Sequence, residues 1–253
     1  MDVRVPAGVS QDPFLGAQYL FETEYDLDWP VIVTVRDNPD ERTWTAHYVE
    51  HHLLNISRQA ASSAMARELV LHEYAHMYRY EQGHPSHLQS TAEALVLAFT
   101  GRQVEQRKLT HCYQIANHMK DIYADDITLD VYPATKLLAF LEASLATAVA
   151  NRPIDRPGAV RHTPAADPDI TAVNAAFALG LAERHDLIEP DHRLYELAAI
   201  AAADAPNVNL DSFKRRFRTL SRDTNTSEYR KALVDITRKY AMHTGGAGDA
   251  AAD

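Results

Sequence analysis

Extended, β-branched sequence is confined to one part of this chain, between Pro30 and Ser57, and almost everything after it carries helical spacing. That asymmetry limits the possible folds more than any other feature. Pro30-Val31-Ile32-Val33-Thr34-Val35 is a compact run of strand formers, closed by the turn sequence Asp37-Asn38-Pro39-Asp40. Trp44 to Tyr48 and Leu53 to Ser57 are two further extended stretches, while residues 1–28 are polar and mixed, with weak signals. The reading is a small, mostly antiparallel sheet that leads into a helix from about Ala64 to Tyr80.

Gly83-His84-Pro85-Ser86 breaks that helix. Ser90-Thr91-Ala92-Glu93 has the form of a capping box and starts a helix to about Thr100. A long helix follows from Arg102 to Asp125, with Cys112, Ile115, Ala116, Met119, Ile122 and Tyr123 on its apolar face, and another covers Ala134 to Val149. Residues 151–168 hold five Pro or Gly residues and read as a linker or long loop. Helical segments at Thr171–Arg184, Arg193–Ala203, Leu210–Leu220 and Ser227–His243 come next, and residues 244–253 read as a disordered tail. The expected class is therefore α+β and helix-rich: a sheet, a helix and a bundle in residues 1–150, then an all-helical region at 169–243.

Charge and composition exclude some functions. The formal net charge is -10, with six Lys against nineteen Arg and 21 Asp against 14 Glu. Acidity with so few lysines resembles proteins of salt-loving microbes, in which salt screens self-repulsion. It argues against nucleic acid as the main partner. Lys214-Arg215-Arg216-Phe217-Arg218 is a basic exception, and an intramolecular acidic partner is expected for it. Cys112 is the single cysteine, so neither an intrachain disulfide nor a Cys-rich metal cluster can form. The first thirty residues lack a secretory pattern, and the apolar segment Leu137–Ala150 is short and broken by Glu142. These features predict a cytoplasmic protein with no membrane partner.

His72-Glu73-Tyr74-Ala75-His76 is where chemistry concentrates. On a helix, residues 72 and 76 lie one turn apart on the same face, so both imidazoles can bind one ion. Glu73, offset by about 100°, can reach a water on that ion. Zn²⁺ suits such a set: two neutral imidazoles and a third protein ligand hold it, and the remaining position takes water, with a nearby carboxylate as base. At this chain's His and Glu frequencies the pattern is expected by chance only about 0.04 times.

With that motif on a helix after a short sheet, residues 30–126 resemble the zincin metallopeptidases. The resemblance is closest to gluzincin-like or minimal archaeal members, including families that carry His-Glu-Tyr-Ala-His. It implies a zinc-dependent peptidase with His72 and His76 as ligands, Glu73 as general base and a peptide or protein as substrate. It also implies that the strand before the motif helix, within Val49–Ser57, lines the cleft by strand addition. A metzincin would need Gly and His where Arg79 and Gln82 stand, so that subclass is excluded. The third ligand stays open among Asp121, His87 and Glu93. Asp121 ranks first because Asn117, Asp121 and Asp125 repeat at four-residue spacing, as on the later helix of some minimal zincins. His111 and His118, on the same helix, are candidates for substrate or oxyanion contacts. The competing reading is a catalytically inactive zincin-like module that binds a partner.

Overall fold

The computed structural model describes residues 1–39, 41–151 and 167–243. Most of the Pro-rich segment at 151–168, and all of the tail at 244–253, lie outside the described residues. The chain runs β1 (Val3–Arg4), α1 (Asp12–Phe21), β2 (Val31–Arg36), β3 (Trp44–His47), β4 (His52–Ser57), α2 (Arg58–Ala61) and α3 (Ala66–Glu81). It continues with α4 (Pro85–Leu88), α5 (Thr91–Phe99), α6 (Gln106–Val131), α7 (Thr135–Ala150), α8 (Pro168–Arg184), α9 (Arg193–Asp204), α10 (Leu210–Arg218) and α11 (Thr226–His243). The helix-rich α+β class is as the sequence indicates.

Strand pairing differs from the expectation. The order is β1-β2-β4-β3, and only the β3–β4 pair is antiparallel; β1–β2 and β2–β4 are parallel. The sheet is mixed rather than mostly antiparallel. The reason is visible in β2, whose nearly continuous Val31-Ile32-Val33 run suits a strand with neighbours on both sides. Val31 and Val33 stand beside His52 and Leu54 across the parallel ladder. β1 is two residues long, too short to leave an alternating pattern.

Contacts divide the chain into two compact units. The first takes Met1–Leu88 and Lys120–Lys136. Its core joins Phe14 and Phe21 of α1, Val31 and Val33 of β2, Leu54 and Ile56 of β4, Val70, Leu71, Tyr74 and Met77 of α3, and Ala124 and Ile127 of α6. Full burial of each such side chain is worth roughly 1.5–3 kcal/mol. α3 is buried on more than one stripe, since Leu71, Glu73 and Ala75 join Val70, Tyr74 and Met77. It ends in a Schellman turn: Gly83 N bonds Tyr80 O at 2.9 Å and His84 N bonds Arg79 O at 2.9 Å. Gly83 has φ +65, which a side chain would strain.

The second unit takes Gln89–Met119 and the described residues from Leu137 onward. α8 is its central helix, buried almost all round from Ile170 to Ala182. Small residues let its neighbours approach closely, with Ala172, Ala175, Ala176, Ala178 and Ala182 all buried. At Gly180 an added Cβ would lie 2.9 Å from the Phe217 Cβ, so α10 packs directly on the α8 backbone. The basic cluster on α10 meets acid within the chain: Lys214 and Arg218 each sit 2.9 Å from Glu183. Among the described residues no helix is long and apolar enough to cross a membrane.

Candidate metal centre

Two helices of the first unit each present a pair of residues one turn apart. α3 presents His72 and His76, and the second half of α6 presents Asp121 and Asp125. Arg79 fixes the packing of one helix on the other by donating to the Tyr123 carbonyl at 2.9 Å. Among the described residues, one group brings at least three possible metal-ligating side chains together: His72, His76 and Asp121.

The geometry suits one small cation. The two Nε2 atoms stand 3.0 Å apart, and Asp121 Oδ1 lies 3.4 Å from His76 Nε2 and 3.9 Å from His72 Nε2. Donors about 2.1 Å from a tetrahedral zinc are themselves about 3.4 Å apart. The triangle therefore matches zinc without large movement. The three side chains keep 26%, 13% and 25% exposure, so the centre is partly exposed among the described residues.

Each imidazole is held by its other nitrogen. His72 Nδ1–H donates to Asp125 Oδ1 at 2.8 Å, a carboxylate–histidine pairing that fixes ring and tautomer. His76 Nδ1 meets His87 Nε2 at 2.7 Å, and behind it lie Ser86 Oγ, 2.8 Å from His87 Nδ1, and His84 Nδ1, 2.7 Å from that oxygen. Burial alone would lower the His72 pKa, but Asp125 and then Asp121 outweigh it and push it up to about 10. Burial holds His87 well below its ordinary value, and the neighbouring His76 and Lys120 add to this. Burial also raises the Glu73 carboxyl; His76 and His72 pull it back, and Asp121 adds to the rise.

A family model matches residues 1–242, nearly the whole chain. The protein belongs to that family, DUF5781, described as a family of unknown function. No curated protein and no solved structure matches the chain.

In this DUF5781 member the third-ligand candidates separate cleanly. Asp121 joins the two histidines. His87 stands behind His76 rather than beside it, because its Nε2 engages the far nitrogen of that ring. Glu93 is exposed in the second unit, where its amide donates to Ser90 Oγ at 3.3 Å and starts α5. His111 and His118 also belong to the second unit. His111 bonds the Tyr240 hydroxyl at 2.5 Å, and His118 bonds Asn174 at 2.9 Å and stacks on Phe177. The structure gives both of them packing partners there.

Spacing alone assigns no role to several residues that support the centre in this family member. Asp125 shares the four-residue spacing of Asp121, which was the available signal. His47 on β3 stacks on Tyr80 of α3, with ring centroids 3.9 Å apart, and its Nδ1 lies 2.9 Å from His52 Nδ1. The cross-strand pairing of His47 with His52 makes that contact, and no local pattern announces it. Burial, then His52, His76 and Lys120, push the His47 pKa down to about 4. Glu81, last in α3, accepts from the Asp28 and Trp29 amides and bonds His52 Nε2, each at 2.9 Å.

Proposed function

We propose that this protein is a zinc-dependent peptidase of the cytoplasm. The observation that carries the reading is the convergence of His72 Nε2, His76 Nε2 and Asp121 Oδ1 within 3.0–3.9 Å of one another. These three side chains would hold the ion. Zinc bound there supplies a Lewis acid that makes water more acidic and polarises a carbonyl. Glu73 accepts the proton of the attacking water on its carboxylate and returns it to the leaving amine. Its burial favours this exchange, since a raised carboxyl pKa lies nearer the pH at which it must both take and release a proton.

An extended peptide substrate would suit the sheet that packs against the motif helix. β4 is paired on both sides, so the expectation that Val49–Ser57 receives substrate by strand addition gives way to its neighbour. β3 is the edge strand next to β4, and it packs against the motif helix α3. Its outer backbone groups suit a peptide added as a further strand, and Trp44 on that strand is exposed.

The test combines metal content with hydrolysis. Wild type should carry about one zinc per chain, and Glu73→Gln should keep the zinc while losing cleavage of a fluorogenic casein-derived peptide. Full activity in Glu73→Gln would sink the peptidase mechanism. A zinc-loaded structure with a fourth protein ligand would turn the reading to a non-catalytic module.

A further inference from the structure

The turn after the motif helix carries a chain of side chains whose protons can be placed. His76, His87, Ser86 and His84 follow one another at 2.7, 2.8 and 2.7 Å. Each imidazole contact is ambiguous by itself, because either ring nitrogen can donate. The backbone amide of Ser86 removes the ambiguity. It lies 3.2 Å from His84 Nδ1, and an amide can only donate, so His84 Nδ1 is a lone pair. The Ser86 hydroxyl must then donate to His84, and its oxygen accepts from His87 Nδ1–H. That leaves His87 Nε2 as a lone pair, which accepts from His76 Nδ1–H. His76 is thereby held in the tautomer whose bare Nε2 faces His72 and Asp121.

We infer that His87, Ser86 and His84 are positioning residues that lock His76 in its metal-binding tautomer. The inference rests on the metal-centre reading above. The lock starts from a main-chain amide, and Ser86 is fully buried, so water does not compete for the middle of the chain. It is also uncharged. Asp121 and Asp125 already balance a dication, and a third carboxylate behind His76 would make the centre anionic and a weaker electrophile. A neutral imidazole supplies the acceptor without that charge. The Schellman turn at Gly83 is what folds His84, Ser86 and His87 back toward α3.

The experiment measures zinc affinity of the full chain by competition with a chromophoric chelator, with thermal unfolding of the metal-free proteins in parallel. His87→Phe removes the acceptor and should lower affinity about 10–100-fold. His87→Gln, whose Oε1 can accept from His76, should recover most of that loss. Ser86→Ala should give a smaller fall than His87→Phe, because His87 keeps its contact with His76 but loses the group that fixes its own tautomer. Metal-free unfolding temperatures should be alike. Wild-type affinity in His87→Phe would overturn the proposal, as would a Gln variant as weak as the Phe variant. If His87→Phe does not fold, unchanged affinity in Ser86→Ala overturns it instead. Wild type that binds no zinc removes the metal centre itself, an outcome distinct from zinc binding that ignores position 87.

Discussion

Each compact unit buries a set of polar side chains, and the two sets are built differently. In the second unit Arg107 donates to both Asp167 and Asp169, Lys108 donates to the Ala241 carbonyl, and His111 meets the Tyr240 hydroxyl. Donors face acceptors there, and cation faces anion. In the first unit the atoms that converge are two imidazole Nε2 atoms and a carboxylate oxygen. Behind them stands a second carboxylate, Asp125, and close enough to feel both histidines and Asp121 is a buried third, Glu73. A polar cluster that serves the fold completes itself with protein atoms. The first-unit set instead gathers three atoms that can all ligate one cation, and such a gathering marks a candidate metal site.

The largest test of this contrast is loss of a ligand. Zinc binding to a folded protein site is worth on the order of 12 kcal/mol, so Asp121→Ala, which removes one of three ligands, should cost about a thousandfold in affinity. Elemental analysis and chelator competition would show it; tight zinc in Asp121→Ala would dissolve the contrast. The counterpart is Arg107→Met. It removes the guanidinium that faces both Asp167 and Asp169 and should lower stability by about 2 kcal/mol, a value discounted because Arg107 is partly exposed. Zinc stoichiometry should stay at the wild-type value, and a variant that unfolds no sooner than wild type would show that this set is not structural.

A finer test concerns the proton that occupies the centre before zinc does. With His76 Nε2 a lone pair 3.0 Å from His72 Nε2, the proton between them belongs to His72, which also donates to Asp125. Its pKa near 10 keeps it charged at neutral pH. Zinc must replace that proton, so calorimetry in buffers of different ionisation enthalpy should register about one proton released. Affinity should rise about tenfold per pH unit and level off above the His72 pKa. The sign for stability is the reverse. A raised pKa adds stability to the metal-free fold that is complete below pH 6.5 and lost as pH rises through about 10. A metal-free unfolding temperature that climbs over that interval would contradict the assignment.

Much of the centre could be read in the sequence, because its parts are helical and the helix period is explicit. His72 and His76 announce themselves at four-residue spacing, and Asp121 and Asp125 do the same on the later helix. The α3 and α8 helices and the Ser90 cap were legible for the same reason. What escaped depends on pairing at a distance. The parallel partnership of β2 with β4 is chosen by tertiary burial, and with it come the His47–His52 pair and the edge position of β3. α1 escaped too: its buried residues Phe14, Ala17 and Phe21 are sparse in a helix of ten residues. His87 stands among the third-ligand candidates, but whether such a histidine would meet the ion or the far nitrogen of a ligand depends on which ring nitrogen it faces. Spacing alone does not encode that.

The two arms of the centre differ in how far along the chain their supports lie. His76 is held by His87, eleven positions away, through a turn that the chain can close soon after α3 forms. His72 is held by Asp125, fifty-three positions away, and waits for α6 to dock. Contacts between near neighbours form before those that close long loops. The His76 arm is therefore set first, while Asp121 and Asp125, the carboxylates that would neutralise a bound ion, arrive last. On the proposed reading, a chain still being made would hold a half-built site with little grip on metal, and the docking of α6 would time the capture.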